Sequence, residues 1–425
     1  INTWDYPTYL IIAIFVVGIS EHIRNGGFNI VCVGRIIMRA TAVVSIGYVA
    51  FLPFHMNYEP FFNSLDLTTN QTRVKDLLVI HGVFVFIIVS FYSTRLAPVL
   101  SSSASTGSAM RQRWTAIAVV GLVTGLTMLL AIFDWKWGGF LFMAVILFVV
   151  LFGAIKGQKI AEGSHPYLTV VTFLLTLALL LAMGLEIFRI EGDVGRMNSV
   201  FKFYLQIWVL MGISSAYLLW RLTCSAPTLG AFAKKLWVAT TCVILIGTCI
   251  YPILGTHARL KSRFEPLPLT LDGTAYVNER IYHDAEGDIG LEEDYKGIRG
   301  LQENVVGSPV ILEGLTPNYR WGGRVSVYTG LPTIIGWQWH QEQQRWGHRD
   351  AVATRVADVN HIYSTVSMEE AMDLMRNYGV EYVYLGRVEA LYYPKEGLEK
   401  FSNNSDNYLE EVFRNQDVRI FRTIY

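Results

Sequence analysis

A charged segment between two long apolar runs is where this sequence first offers chemistry. It covers residues 186–208, EIFRIEGDVGRMNSVFKFYLQIW. If a helix begins near Asn198, then Asn198, Lys202 and Gln206 recur every four residues and form one polar stripe. Ionisable groups at membrane depth are costly and mark functional sites, so the segment predicts the edge of a binding or active cavity. The alternative is a solvated loop with snorkelling ends.

The ionisable side chains of this segment suit phosphate or metal binding. Arg189, Arg196 and Lys202 are candidates for holding a phosphate, because cations bind phosphate through charge-assisted hydrogen bonds. Glu186 and Asp193 are candidates for a divalent metal ion such as Mg²⁺ or Mn²⁺, or for ion pairs with those bases. Ion pairing is the interpretation that we favour.

The composition changes sharply along the chain. Of the 425 residues, 52% are hydrophobic and only 16% are charged, and the formal net charge is zero. Long apolar runs fill residues 1–255, whereas residues 256–425 are polar and rich in turns. This predicts a transmembrane helical domain followed by a soluble domain. Neither half is strongly basic, so we expect no nucleic-acid partner.

The first half contains about eight apolar stretches that predict membrane-spanning helices. They cover residues 6–20, 36–54, 76–94, 114–133, 137–155, 166–188, 199–220 and 236–254.

Basic residues in the connections predict the orientation of these helices. Counted with Arg39, Asp76 and Lys202 near the ends of the adjoining stretches, the connections after the first, third, fifth and seventh stretches hold eleven Lys and Arg and two acids, whereas the alternate connections hold six of each. The positive-inside rule places the base-rich connections in the cytoplasm. With an even number of spans, residues 256–425 then lie outside. We therefore expect a multi-pass protein of the cell membrane with an extracytoplasmic C-terminal domain.

Short-range signals predict an α/β fold for the C-terminal domain. Residues 309–313, PVILE, have the length and composition of a strand. Ser367 to Glu370 form a capping box that opens a helix, and Gly379 is a plausible stop. Residues 380–385, VEYVYL, predict a strand, and the last strands flank residues 414–417 as a hairpin.

An aromatic and basic segment, residues 318–349, is the most informative part of this domain. If GWQWH is extended, its side chains alternate, so Trp337 and Trp339 share one face. Indoles stack on sugar faces and arginines bind phosphate, so the segment suits a phosphorylated, sugar-bearing ligand. The competing interpretation is a wedge that rests on lipid headgroups. The candidates for sugar or acceptor contact are Trp321, Trp337, Trp339 and His340, and those for phosphate are Arg320 and Arg324.

Several common catalytic motifs do not occur. The sequence has no GxxxxGK[ST] loop, HExxH pair, CxxC pair or GxSxG elbow. ATP hydrolysis, zinc proteolysis, dithiol chemistry and ordinary serine hydrolysis therefore lose support.

Three motifs carry a resemblance to a known family. NTWDYPTY, GRMNSVFKFYLQIW and NYRWGGRVSVYTGLPTIIGWQWHQ resemble the C-terminal half of the YYY membrane proteins of Chloroflexi and archaea. Those proteins are similar to the GT-C glycosyltransferases, which include oligosaccharyltransferases and protein mannosyltransferases. The resemblance implies an extracytoplasmic active site and a lipid-phosphate sugar donor. The GT-C catalytic acid lies in the first outer loop, which this sequence, beginning at Ile1, does not include. The resemblance therefore leaves the catalytic base unassigned, with Asp5 as a candidate.

Two functional hypotheses follow. The first is a membrane glycosyltransferase, or its C-terminal portion, that takes a sugar from a polyprenyl-phosphate donor. Its partners would be the lipid-linked sugar, membrane lipid and a segment preceding Ile1 or other membrane subunits. The second is a non-catalytic scaffold or accessory subunit of a larger membrane complex. A transporter would require internal repeats, and none is convincing among the eight stretches.

Overall fold

The chain divides into two compact units. The computed structural model describes all residues except 1–3, 59–63, 102–108, 159–165, 192, 194, 225–230, 264–269 and 404. The membrane unit covers Ile1–Lys261 and the C-terminal unit covers Ser262–Tyr425. The boundary predicted from the sequence, at residue 256, lies a few residues before Ser262.

The membrane unit consists of long helices and one short ribbon. Its helices are α1 (Tyr6–Asn25), α2 (Ile30–Ala50), α3 (Leu52–Asn57), α4 (Val74–Ser101), α5 (Ala109–Phe133), α6 (Gly138–Gln158), α7 (Pro166–Leu185), α8 (Met197–Cys224), α9 (Ala231–Ile250) and α10 (Thr256–Arg263), with a π-helical turn at Tyr251–Gly255. Its strands are β1 (Leu65–Leu67) and β2 (Phe188–Ile190), which pair antiparallel.

Each predicted span overlaps one of these helices. Among the described residues, seven helices are long and apolar enough to cross a membrane. The remaining predicted span overlaps α5, whose fully described apolar part is Ile117–Phe133. The helices form because runs of about 20 apolar residues can satisfy their backbone groups in lipid only through helical hydrogen bonds.

Helix α4 forms the centre of the membrane unit. It packs against α5, α6 and α8, and Ile88 and Tyr92 on α4 are fully buried. Gly153 on α6 permits the close approach, because a Cβ there would lie 2.8 Å from Tyr92 Cδ1. By contrast, only 6% of the apolar stretch of α2 is buried. The same small share of the apolar segment Phe232–Ser262 is buried. These two helices leave most of their apolar surface to lipid or to another protein.

The C-terminal unit contains a four-stranded sheet with helices packed against it. Its strands are β3 (Ile281–Asp284), β4 (Gly287–Gly290), β5 (Val310–Leu312), β6 (Val380–Leu385), β7 (Leu409–Arg414) and β8 (Arg419–Thr423). Its helices are α11 (Leu291–Asn304), α12 (Arg324–Thr329), α13 (Gln338–Gln344), α14 (Arg349–Ser364), α15 (Met368–Asn377), α16 (Arg387–Tyr392), α17 (Lys395–Asn403) and α18 (Ser405–Tyr408), with 3₁₀ turns at Ala275–Glu279 and Trp346–His348.

The sheet has the order β5-β6-β8-β7. Strands β5 and β6 are parallel, and the hairpin β7–β8 continues the sheet antiparallel. The predicted helix start is confirmed, since the Ser367 hydroxyl accepts the backbone N–H of Glu370 at 3.3 Å. The predicted stop is confirmed as well, because Gly379 has a φ of 64°, which favours glycine.

The prediction of an extended GWQWH segment is wrong. Helix α13 begins at Gln338, so Trp337 precedes the helix and Trp339 lies in its first turn. The side chain of Asn318 accepts the backbone N–H of Trp339 at 3.1 Å and thereby satisfies a donor of that first turn. Gln338 also donates to Glu342 Oε1 at 2.9 Å, one helical turn later. The two indoles therefore do not share the face of a strand.

Lys400 is a buried cation on α17. Its ammonium group donates to the carbonyl oxygens of Ile362 at 2.6 Å and Gly397 at 2.7 Å, and lies 4.1 Å from the ring centroid of Phe401. Burial lowers the pKa of Lys400 to about 7 from its usual 10.5. Between these values the folded chain lacks a proton that the unfolded chain holds, so stability rises with pH in that window.

We expect the free energy of unfolding to depend less on pH in Lys400→Met than in the wild type. Between about pH 7.5 and 9.5, the slope of the free energy of unfolding against pH should differ between the two proteins by about 1 kcal/mol per pH unit. Melts of the full chain in detergent at several pH values measure it. Lys395→Met, at an exposed lysine of the same helix, is the matched control and should keep the wild-type slope. Equal slopes in all three proteins would contradict the role assigned to Lys400.

Candidate functional site

Glu186 and Arg196 form a buried ion pair in the membrane unit, which we call the Glu186–Arg196 pair. Arg196 Nη1 lies 3.3 Å from Glu186 Oε1 and donates to the Leu185 carbonyl at 2.8 Å. The carboxylate also accepts the backbone N–H and the hydroxyl of Thr72, each at 2.7 Å. Glu186 is only 1% exposed. The pair therefore joins the end of α7, the start of α8 and the residues just before α4.

Asp193 caps helix α8. Its carboxylate accepts the backbone N–H groups of Asn198 at 3.0 Å and Ser199 at 2.8 Å, and the Ser199 hydroxyl at 2.7 Å. A carboxylate is favoured there because the N-terminus of a helix carries partial positive charge. Among the described residues, no group of three or more His, Cys, Asp or Glu side chains could hold a metal ion. In this structure Glu186 pairs with Arg196 and Asp193 caps α8, and the metal site stays a prediction.

Arg189 belongs to the ribbon formed by β1 and β2. Its guanidinium lies 3.6 Å from the carboxylate of Asp66, directly opposite in the register, and donates to the Gly195 carbonyl at 2.7 Å. The ribbon holds Arg189 at the connection between α7 and α8. Of the predicted phosphate-binding cations of this unit, Arg189 and Arg196 are thus already paired with carboxylates.

The polar stripe of α8 contacts the beginning of the chain. Gln206 is 4% exposed, and its side-chain amide donates to Asp5 Oδ1 at 2.6 Å. The ammonium group of Lys202 lies 5.8 Å from the ring centroid of Trp4. No carboxylate of the described residues lies within ion-pair distance of Lys202. Asn198, at the first turn, is exposed. The structure thus brings Asp5, near the start of the chain, to Gln206 on the stripe that also bears Lys202.

The predicted phosphate-binding role of Arg324 is corrected by its surroundings. Arg324 is 2% exposed, and its guanidinium donates to both oxygens of Asp294 and of Glu389 at 2.6–3.2 Å. Burial alone would lower its pKa, but the two carboxylates raise the pKa well above its ordinary value. Arg320 is more exposed and donates to Asp284 at 3.0 Å and to the Tyr392 hydroxyl at 3.1 Å. Arg324 is therefore enclosed by its own unit.

Trp321, predicted to contact sugar, belongs instead to the core of the C-terminal unit. Its indole N–H donates to Asp294 Oδ2 at 2.8 Å, and its ring stacks on Tyr282 at 5.9 Å between centroids. The Trp321 indole is therefore held in position by a buried carboxylate and a tyrosine ring of its own unit.

Two other predicted sugar contacts, Trp337 and His340, line one cavity of the C-terminal unit. This C-terminal cavity has a volume of about 590 Å³. Trp339, by contrast, is 45% exposed and does not line it. The remaining lining comes from α12, α13, α14 and the segments that flank them: Gly323, Ser326, Val327, Thr333, Ile334, Ile335, Gly336, Gln341, Arg345, His348, Ala351, Val352 and Arg355.

Sequence reasoning missed some residues of these sites. Thr72 connects the charged segment to the start of α4, and Ser199 links Ile190 and Asp193 within the segment. No local pattern marks either residue. Arg355 lies beyond the aromatic and basic segment, yet a signal for it exists. His348, Val352 and Arg355 are spaced by four and three residues, which places them on one face of a helix.

The family comparison concerns the membrane unit. Residues 1–211 match the model of a family described as "Uncharacterized membrane protein (DUF2298)". The chain is a membrane protein. The match spans Asp5, the Glu186–Arg196 pair and the polar stripe of α8. No curated protein and no solved structure matches this membrane protein. The YYY and GT-C resemblances remain predictions from the sequence, because the matched family carries no assigned activity.

Proposed function

We propose that this membrane protein is a glycosyltransferase, or the C-terminal portion of one, that uses a polyprenyl-phosphate-linked sugar on the extracytoplasmic side. One observation carries the proposal: Gln206 holds the carboxylate of Asp5 at 2.6 Å, on the stripe that also bears Lys202. A carboxylate and a cation are thereby brought to one stretch of the membrane unit. Sugar transfer from a phosphate is assisted by a carboxylate that accepts a proton and by a cation that stabilises the leaving group.

The reaction assigns a distinct role to each of the three residues. Asp5 accepts the proton of an acceptor hydroxyl as its oxygen bonds to the anomeric carbon of the sugar. The bond from that carbon to the phosphate oxygen breaks, and polyprenyl phosphate leaves with the electron pair. Lys202 stabilises the negative charge of the leaving phosphate. Gln206 orients Asp5 through its amide N–H.

We assign the contact with the leaving phosphate to Lys202, because the other candidate cations are already paired with carboxylates of the protein. Arg189 and Arg196 are paired with carboxylates, and Arg324 is enclosed. No carboxylate of the described residues pairs with Lys202. An unpaired cation can contribute its full charge to a substrate. The proposal therefore rests on Asp5 and Lys202 rather than on a cluster of arginines.

Lys202→Met should lower sugar transfer by about 100-fold or more, because it removes charge stabilisation from the leaving phosphate. Asp5→Asn should lower it by a similar factor, since the amide cannot accept the proton. The measurement is consumption of radiolabelled polyprenyl-phosphate hexose by the purified full chain in proteoliposomes that also hold a membrane extract as the source of acceptor. Lys75→Met, at an exposed lysine near the start of α4, is the matched control and should retain activity. Wild-type turnover in Lys202→Met would overturn the proposal, as would a wild-type protein that transfers no sugar.

A second candidate function is a scaffold or accessory subunit of a membrane complex. The observation that favours it is that only 6% of the apolar stretch of α2, and of the segment Phe232–Ser262, is buried. Helix surfaces of this kind suit contacts with other membrane helices. Chemical crosslinking in native membranes distinguishes the two functions: stable crosslinks from both helices to one other polypeptide, together with no sugar turnover, would support the scaffold.

A further inference from the structure

The C-terminal cavity has an apolar floor and a basic rim. Ile334, Ile335 and Val352 are buried and form its floor. Arg345 and Arg355 line it and are exposed to solvent. A volume of about 590 Å³ lies within the range of small-molecule sites, about 300–1,000 Å³. The cavity lies entirely within the C-terminal unit, so it does not depend on the stripe of α8.

The two arginines of the rim are anchored without being neutralised. Arg355 Nη1 donates to the Ile334 carbonyl at 2.9 Å, and Arg345 Nη1 contacts the side-chain oxygen of Gln341. Among the described residues, no carboxylate lies within ion-pair distance of either guanidinium. A guanidinium has five N–H donors, so most donors of each remain available. Because the two side chains are held in place and their positive charges are not neutralised by a carboxylate, they suit an anion with several acceptor oxygens, such as phosphate.

The aromatic wall supplies a second recognition element. Trp337 lines the cavity, and its indole N–H is buried with no hydrogen-bond partner among the described residues. A buried donor without a partner is costly, about 1–3 kcal/mol. Tyr319 holds Trp337 and His340 in place, with ring centroids 5.4 and 5.9 Å away. An indole with an N–H to donate suits a ring that carries hydroxyl groups.

We infer that the C-terminal cavity binds a phosphate monoester carried on a sugar or polyol ring. Arg345 and Arg355 contact the phosphate, with His348 beside them, and Trp337 and His340 contact the ring. The same chemistry occurs in a soluble sugar phosphate and in a phosphorylated lipid headgroup. The inference goes beyond the proposed transfer reaction and does not require it.

The test measures binding to the full chain in nanodiscs of neutral lipid. Calorimetry with glucose 1-phosphate examines the soluble source, with glucose and inorganic phosphate as comparison ligands. A second arm adds phosphatidylinositol 4-phosphate to the nanodiscs and follows amide hydrogen exchange over residues 337–355. The variants are Arg345→Gln, Arg355→Gln and Trp337→Phe. Arg299→Gln, at an exposed arginine of α11 outside the cavity, is the matched control.

Binding of glucose 1-phosphate should weaken about tenfold or more in each arginine variant and in Trp337→Phe, and stay unchanged in Arg299→Gln. Exchange protection only by the phosphorylated lipid, lost in the same variants, would support the headgroup source. No binding in either arm would overturn the inference. Equal affinity for inorganic phosphate would overturn the assigned ring contact. Because Asp5 and Lys202 take no part, failure here is distinguishable from failure of the transfer proposal.

Discussion

Arg324→Met should lower the free energy of unfolding of the C-terminal unit by about 3–5 kcal/mol. The guanidinium neutralises Asp294 and Glu389, which are both buried. Methionine would leave two carboxylates without a counter-charge in a low-dielectric interior. Glu389 also accepts the backbone N–H groups of Gly314 and Gly386, each at 2.7 Å. A displaced Glu389 side chain would therefore also disturb the two loops that contain these glycines.

The measurement is denaturant unfolding of the full chain in detergent, with hydrogen exchange over residues 291–304 and 387–392 as the local readout. Arg324→Lys keeps the charge but not the paired N–H donors, so it should be less destabilising than Met. Arg376→Met removes an exposed ion pair with Asp373 and should cost about 1 kcal/mol or less. A similar small cost for Arg324→Met would show that the buried network does not hold the unit together.

Arg196→Met should destabilise the membrane unit by about 3 kcal/mol, because it leaves Glu186 charged and buried. The Glu186–Arg196 pair connects three helices through Thr72, Leu185 and the start of α8. The double variant Glu186→Gln with Arg196→Met should be more stable than Arg196→Met alone, since it removes the uncompensated charge. Thermal unfolding of the wild type, Glu186→Gln, Arg196→Met and the double variant in detergent completes this cycle.

Arg189→Met is the matched comparison for Arg196→Met. Arg189 and its partner Asp66 are both more exposed than the Glu186–Arg196 pair, so the loss should be about 1 kcal/mol or less. If both single variants lose the same stability, burial does not distinguish the two arginines. If the double variant is as unstable as Arg196→Met, the carboxylate is not the source of the loss.

The sequence was sufficient for features that depend on neighbouring residues. Apolar runs of about 20 residues predicted the membrane helices, because such a run in lipid must form its hydrogen bonds internally. The helix start at Ser367, its end at Gly379 and the strand Val380–Leu385 were likewise predicted from local chemistry and are confirmed. The spacing of Asn198, Lys202 and Gln206 required only that α8 begin nearby, and it begins at Met197.

Features that join distant residues were decided by the tertiary structure alone. Arg324 was predicted to be available to a ligand, but its partners Asp294 and Glu389 lie 30 and 65 residues away. Asn318 satisfies the first turn of α13 from 21 residues away, so the segment after Trp337 is helical rather than extended. Gln206 holds Asp5 across 201 residues. Composition and spacing determine which long apolar segments become membrane helices and which residues carry charge, because those depend on short-range backbone and solvent energetics. Whether a given charge is neutralised or left for a ligand depends on which groups folding places within a few ångströms of it.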